Sequence, residues 1–189
     1  MCLEIFPLTP ERWRDFEKLF GPSGGDDGCW CMFWRLNRHD FNSGKGETNR
    51  LCFKKMVEEN STPGLIAYQD HMPVGWCSVS PREAFAERIA ELPVYQPIDS
   101  KHVWSILCFF IHPDYRNQGI ARRLLKEAIQ FARANGASTL ESFPDDPKGR
   151  TADGDIYTGT VKMFQDLGFV EAERRHPLRP IMRYEFNRK

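Results

Sequence analysis

One stretch restricts the architecture more than any other. A run rich in β-branched and aromatic residues, His102 to Ile111, passes through a short turn into a helical pattern, and another strand-like run follows. The first run reads as a long, largely buried strand that ends at His112-Pro113. From Gly119 to Ala134 the period becomes helical, with Ile120, Leu124, Ala128, Phe131 and Ala132 on one face. Arg122, Arg123, Lys126, Glu127, Gln130 and Arg133 occupy the other face, and Asn135-Gly136 stops the helix. Thr139 to Phe143 is the second strand. Such a unit crosses over right-handed and pairs its strands in parallel, directly or with one strand between. The chain is therefore expected to be α/β, with a mixed, twisted central sheet flanked by helices.

The rest of the sequence fits a single domain, residues 1–189, because no repeat or composition break divides it. Leu3 to Phe6 is a short strand candidate, and Thr9-Pro10-Glu11 supplies an N-cap, a first-turn proline and an acid. Trp13, Phe16 and Phe20 follow at helical spacing, then a glycine-rich loop from Gly21 to Gly28. A helix is expected over Glu47 to Glu59, with Phe53, Met56 and Val57 inward. Leu65 to Tyr68 and Val74 to Val79 read as a hairpin, and Pro81 opens a run carrying Phe85, Ile89 and Leu92. A last helix with Ile156, Thr160, Met163, Phe164 and Leu167 inward ends at Gly168. Phe169 to Glu173 and Ile181 to Phe186 are the final strands.

Charge excludes several function classes. Lys and Arg total 26 and Asp and Glu total 26, so no global field recruits nucleic acid or a membrane. The apolar runs fall far short of the roughly 20 residues that span a bilayer. The start, Met1-Cys2-Leu3-Glu4-Ile5, lacks the basic and apolar regions of a secretory signal, so a cytoplasmic protein is expected. Six scattered cysteines read as reduced thiols. Cys29 and Cys31 have no second close pair to complete four ligands, so no metal is expected.

The stretch Ile111-His112-Pro113-Asp114-Tyr115-Arg116-Asn117-Gln118-Gly119-Ile120-Ala121-Arg122 has the chemistry of an anion site. A helix start offers unpaired N–H groups and the positive end of the dipole. Gly119 lets a ligand approach the backbone, and Arg116, Arg122 and Arg123 add charge. Taken alone, the glycine equally suits a tight turn. Arg116-Asn117-Gln118-Gly119-Ile120-Ala121 also matches the Arg/Gln-x-x-Gly-x-Gly/Ala signature of the GNAT superfamily of acetyl-CoA-dependent N-acyltransferases, which the chain resembles from about His102 to Phe186. Phe164-Gln165-Asp166-Leu167-Gly168-Phe169 is similar to the ending of that family's last helix.

The resemblance implies a splayed GNAT-like sheet and acetyl-CoA as cosubstrate. Asn117, Gln118, Gly119, Ile120, Ala121 and Arg122 would cradle the pyrophosphate beside Arg116, and the strand end from Phe109 to Ile111 would pair with the pantetheine arm. The implied reaction is acetyl transfer to a primary amine of a small molecule or peptide by direct attack, in a monomer or homodimer. Phe164 stands where many members carry a tyrosine acid, which makes Tyr157 the substitute donor and leaves open a catalytically degenerate coenzyme-binding module. Glu141 interrupts an apolar strand and is the candidate base, if it faces the cleft, with Asp145 and Asp146 just beyond; His112, beside the anion turn, is a weaker base candidate that equally suits a packing or capping role. Ser105 occupies a position where some members keep a catalytic glutamate. Cys108 is set aside as a nucleophile, because thiolate activation needs an electropositive, reachable setting. Trp30 to Trp34, Trp76 and Phe85 line an acceptor pocket or pack in the core.

Overall fold

The computed structural model describes residues 2–59, 61–147 and 156–186. Its frame is the expected unit: β4 (Trp104–Ile111), α5 (Ile120–Ala134) and β5 (Thr139–Ser142), with β4 and β5 directly paired in parallel. Around it run β1 (Leu3–Pro7), β2 (Gly64–Gln69), β3 (Met72–Pro81), β6 (Val170–His176) and β7 (Arg179–Glu185). The seven strands are ordered β1-β2-β3-β4-β5-β7-β6, and every pair except β4–β5 is antiparallel. The parallel ladder is short. It joins Trp104 to Leu140, Ser105 to Glu141 and Ile106 to Ser142, whereas β4 continues to Ile111.

A bulge accompanies the opening. Opposite Ser78 and Val79 stand Cys108 and Ile106, so Leu107 is the extra residue that bends β4. Both faces of the central strands β2 to β5 are covered, which is why these strands show little polar alternation. Leu124, Leu125, Ala128 and Ala132 of α5 pack on Leu65, Ala67, Cys77, Val79 and Ile106. On the opposite face, α1 (Trp13–Phe20) and α3 (Glu47–Glu58) bring Trp13, Phe16, Phe20, Phe53 and Val57 onto Ile66, Tyr68 and Trp76. Each of these large side chains contributes roughly 1.5–3 kcal/mol on burial.

Several local expectations need correction. Thr9 makes no side-chain cap; a 3-10 turn, Pro10–Arg12, leads into α1 instead. A short α2 (Arg38–Ser43), which periodicity does not reveal, is capped by Asn37, whose side chain accepts from the Asp40 amide at 3.0 Å. The β2–β3 hairpin turns on Asp70 and His71, both at positive φ, as a type I′ turn requires. The run after Pro81 becomes a 3-10 turn and α4 (Ala86–Ala90). The last helix, α6 (Val161–Gln165), begins five residues later than expected, because the Thr160 hydroxyl accepts from the Met163 amide and sets its start. Ile156 and Tyr157 therefore precede the helix.

Candidate active site

Where β4 and β5 part, a groove of about 800 Å³ opens along the freed edge of β4. The His112 amide donates to the Val74 carbonyl of β3 at 3.0 Å, so strand alternation turns the amides of residues 109 and 111 toward the groove. The Phe109 amide is engaged there by the Tyr157 carbonyl at 2.6 Å. Pairing of an incoming chain with Phe109 is thus pre-empted, and Ile111 is left on the open edge. Its carbonyl accepts from Arg116 Nε at 3.2 Å, which fixes that guanidinium beside the turn.

At the groove's end, the first backbone bond of α5 runs from the Arg123 amide to the Gly119 carbonyl at 3.1 Å. The amides of Ile120, Ala121 and Arg122 precede it and have no partner within the helix. These three residues line the groove with Arg116, Asn117 and Gly119. Gly119 has φ +77, and a Cβ built there would meet nothing within 4 Å. Conformation therefore demands the glycine, and the space above it belongs to the groove. Gly75 in β3 has the opposite reason: a Cβ would press on Ile111, Ile120 and Leu124 at 3.0–3.1 Å, so its absence seats α5 close to the strand end. Gln118, the remaining residue of the turn, donates its side-chain amide to the Asp114 carbonyl at 3.2 Å and is not among the residues that line the groove.

The groove's middle is a cluster of thiols. Cys29, Cys31 and Cys108 line it. Trp30 and Cys31 both sit at positive φ, 45° and 62°, in a turn held by the bond from the Trp30 amide to the Gly24 carbonyl. The turn brings Cys31 Sγ to the Trp76 indole, whose Nε1–H donates to it at 3.1 Å. Arg35 lies beside it, buried, bonded to the oxygens of Pro63, Ser78 and Ser80 at 3.1–3.2 Å and in hydrogen-bond contact with the Cys31 thiol. No carboxylate lies within 4 Å of it among the described residues. A buried guanidinium needs a counter-charge. Burial pushes the Cys31 thiol up, but the Cys108 hydrogen bond, Arg35, Trp76 and Ser78 together hold it below the ordinary thiol range. Cys108 moves the opposite way, raised by its bond to Cys31 and by burial. The electropositive setting that Cys108 lacks in the sequence is thus present in the fold and acts on Cys31.

Tyr157 lines the groove with its ring edge-on to Phe33. Burial, reinforced by Tyr95, pushes its phenol up to about 12. Phe164 lies fully buried between Phe109 and Phe169 and is not part of the groove wall. Of the aromatic segment, Phe33 and Trp34 reach the groove, whereas Trp30, Trp76 and Phe85 are core.

Glu141 lies in the closed sheet and does not face the cleft, the condition on which its expected role as base depends. It pairs with Ser105 in the closed part of the β4–β5 ladder, before the strands part. Its carboxylate is fully buried, accepts from Arg183 Nε at 2.8 Å, and faces Arg82 at 3.6 Å. Ser105 is equally enclosed. The nearby acids are engaged as well: Asp145 with Arg179 at 2.7 Å and Thr158 at 2.8 Å, Asp146 with Arg174 at 2.8 Å. His112 caps the turn at Pro113–Tyr115 through the Asp114 amide. Among the described residues, no cluster of three or more His, Cys, Asp or Glu could hold a metal ion, and no helix is long and apolar enough to cross a membrane.

Comparison with solved structures finds the same fold repeatedly. The PaiA N-acetyltransferase of Thermoplasma acidophilum, solved with coenzyme A, is 14% identical with a TM-score of 0.55, covering 98% of this chain and 100% of its own. The protein yncA of Salmonella typhimurium, solved with acetyl-CoA, is 13% identical with a TM-score of 0.58, covering 100% and 96%. A ribosomal-protein-alanine N-acetyltransferase from Brucella melitensis is 16% identical with a TM-score of 0.57, covering 97% and 99%. At such identities the likeness is one of fold. No curated protein sequence matches significantly. The family described as acetyltransferase (GNAT) matches residues 29–169. That match spans the thiol turn, the splayed strands, the helix start and α6, and with it the chain belongs to the GNAT acetyltransferase family.

Proposed function

We propose that the protein transfers an acetyl group from acetyl-CoA to a primary amine of a small molecule or peptide, by direct attack of the amine on the thioester. The observation that carries this reading is the start of α5 opening onto the splayed edge of β4. The amides of Ile120, Ala121 and Arg122, with the turn backbone at Asn117 and Gly119, suit a pyrophosphate, and Arg116 and Arg122 add positive charge. The edge at Ile111 suits the extended pantetheine arm. Two solved proteins of like fold hold coenzyme A and acetyl-CoA, which supports the same occupant here.

Tyr157 is the groove's phenol. At a pKa of about 12 it stands above an ordinary thiol, near 8.5, so full proton transfer to a departing thiolate runs uphill. Its role is a hydrogen bond to the charge that develops on sulfur. The protein works in the cytoplasm, as a monomer or homodimer, without a metal. A second reading, a coenzyme-binding module without catalysis, is favoured by Phe164, which has no proton to give. One assay separates them: release of free thiol from acetyl-CoA that depends on added amine. Tight coenzyme binding with no amine-dependent release would establish the module instead.

A further inference from the structure

Beside the groove lies a second cavity of about 590 Å³, walled by α2 and by residues 88, 91 and 92 at the end of α4. Phe33, Phe41 and Lys45 line both spaces, so the cavity adjoins the groove along the aromatic segment. Its opposite wall is basic. The Arg88 side chain is only 9% exposed, and its Nε is buried with no hydrogen-bond partner. Its NH1 reaches Glu91 at 3.0 Å, and its guanidinium lies 4.4 Å from the centre of the Phe33 ring. Arg38 is exposed beside it, with no carboxylate within 4 Å of its guanidinium among the described residues. Glu91 is shared, since it also accepts from the Arg38 backbone amide at 2.8 Å. Lys45 is spoken for by Asp27. The Arg88 guanidinium thus meets one carboxylate that is shared with a backbone amide, and the Arg38 guanidinium meets none, so the wall holds more positive charge than Glu91 balances, and an anion in the cavity would offset it.

This chemistry selects among amines. A plain cationic amine, such as a polyamine, meets a wall of net positive charge. The Phe33 ring that would attract an ammonium is already covered by Arg88. A carboxylate suits both guanidinium groups through short, charge-assisted bonds. The volume is that of a small-molecule site, and Phe33, Phe41 and Leu92 accommodate an apolar body. We infer that the acceptor is a small primary amine that also carries a carboxylate, an amino-acid-like molecule whose acid end is held by Arg38 and Arg88. Its amine end points past Phe33 toward the groove. The inference deepens the acetyl-transfer reading and rests on it for the direction of the amine.

The test pairs aminocarboxylates, from glycine to 6-aminohexanoate and the aromatic amino acids, with their carboxamides. Binding to the whole protein is measured by calorimetry alongside amine-dependent thiol release. The carboxylates should bind and turn over better than their amides. Arg38→Gln, at an exposed position, should raise KM and Kd for the carboxylates by roughly ten- to a hundredfold, with the amides unchanged and coenzyme A affinity intact. Arg88→Gln should do the same if folded, as checked by its thermal transition. Selective carboxylate binding without turnover would sink the acetyl-transfer reading and leave standing only the carboxylate site at Arg38 and Arg88. Equal use of acids and amides, no binding of either, or an Arg38→Gln effect on both alike would overturn it.

Discussion

Replacing Glu141 by Gln removes one charge from a fully buried cluster and keeps the shape of the side chain. In the native protein Glu141 Oε2 accepts from Arg183 Nε at 2.8 Å and lies 2.7 Å from its NH2, while Oε1 faces Arg82 at 3.6 Å. A glutamine can still accept one bond from Arg183, but its own NH2 must then point at a guanidinium donor. Breaking a buried ion pair typically costs about 3–5 kcal/mol. Arg183 keeps Asp99, at 2.6 and 3.0 Å, which places the expected loss at the lower end, near 3 kcal/mol. For a chain of this length that corresponds to a fall in Tm of roughly 6–12 °C, readable by calorimetry. Turnover per folded molecule, measured well below that transition, should stay within a few fold. A general base would behave oppositely, losing about 10²–10⁴-fold in rate with little change in Tm. That second pattern would refute the argument that closure of the sheet removes Glu141 from the chemistry.

Gly119→Val forces a β-branched residue to φ +77 and places its side chain in the groove, so coenzyme A affinity should fall by more than tenfold in calorimetry; unchanged affinity would remove the turn from the site. Tyr157→Phe deletes one hydroxyl and should lower turnover by up to about 10²-fold while coenzyme A affinity holds, and full turnover would eliminate Tyr157 as a donor. Cys31 is held below the ordinary thiol range, so the stability its anion adds is complete above the unfolded thiol value and lost as pH falls through the folded one. The Tm gap between the wild type and Cys31→Ser should therefore widen as pH rises from 6 toward about 8.5, and parallel curves would show that Arg35 has another counter-charge.

Local signals were sufficient for the frame. The change of period between His102 to Ile111 and Gly119 to Ala134, the arginines beside Gly119, and the stop at Asn135-Gly136 act over a few residues, so the strand, turn and helix can be read from the sequence. The anion turn is legible for the same reason, because the amides that form it belong to consecutive residues. Glu141 is different. Pleat alternation places it on one face of β5, but only the three-pair length of the ladder decides whether that face lies in the zipped sheet or the open cleft. The Phe109 amide and the start of α6 also depended on contacts outside their own pattern, with the Tyr157 carbonyl and the Thr160 hydroxyl.

The thiol cluster and the basic cavity are tertiary in origin. Cys31 meets Trp76 across 45 residues of sequence, and Arg35 meets Ser78 and Ser80 across 43 and 45. The Cys29 and Cys31 pair and the aromatic residues of Trp30 to Trp34 marked the segment as unusual without revealing its partners, and Arg35 carried no local signal. Arg38 and Arg88 come from helices that share no motif and converge only when α2 and α4 pack beside Phe33. By itself, the sequence determined what is set by backbone period and by neighbouring groups: the strand, helix, strand unit and its anion-binding start. Tertiary structure alone decided which charges lost water and found each other, because the cost of burying a charge depends on everything that surrounds it in space.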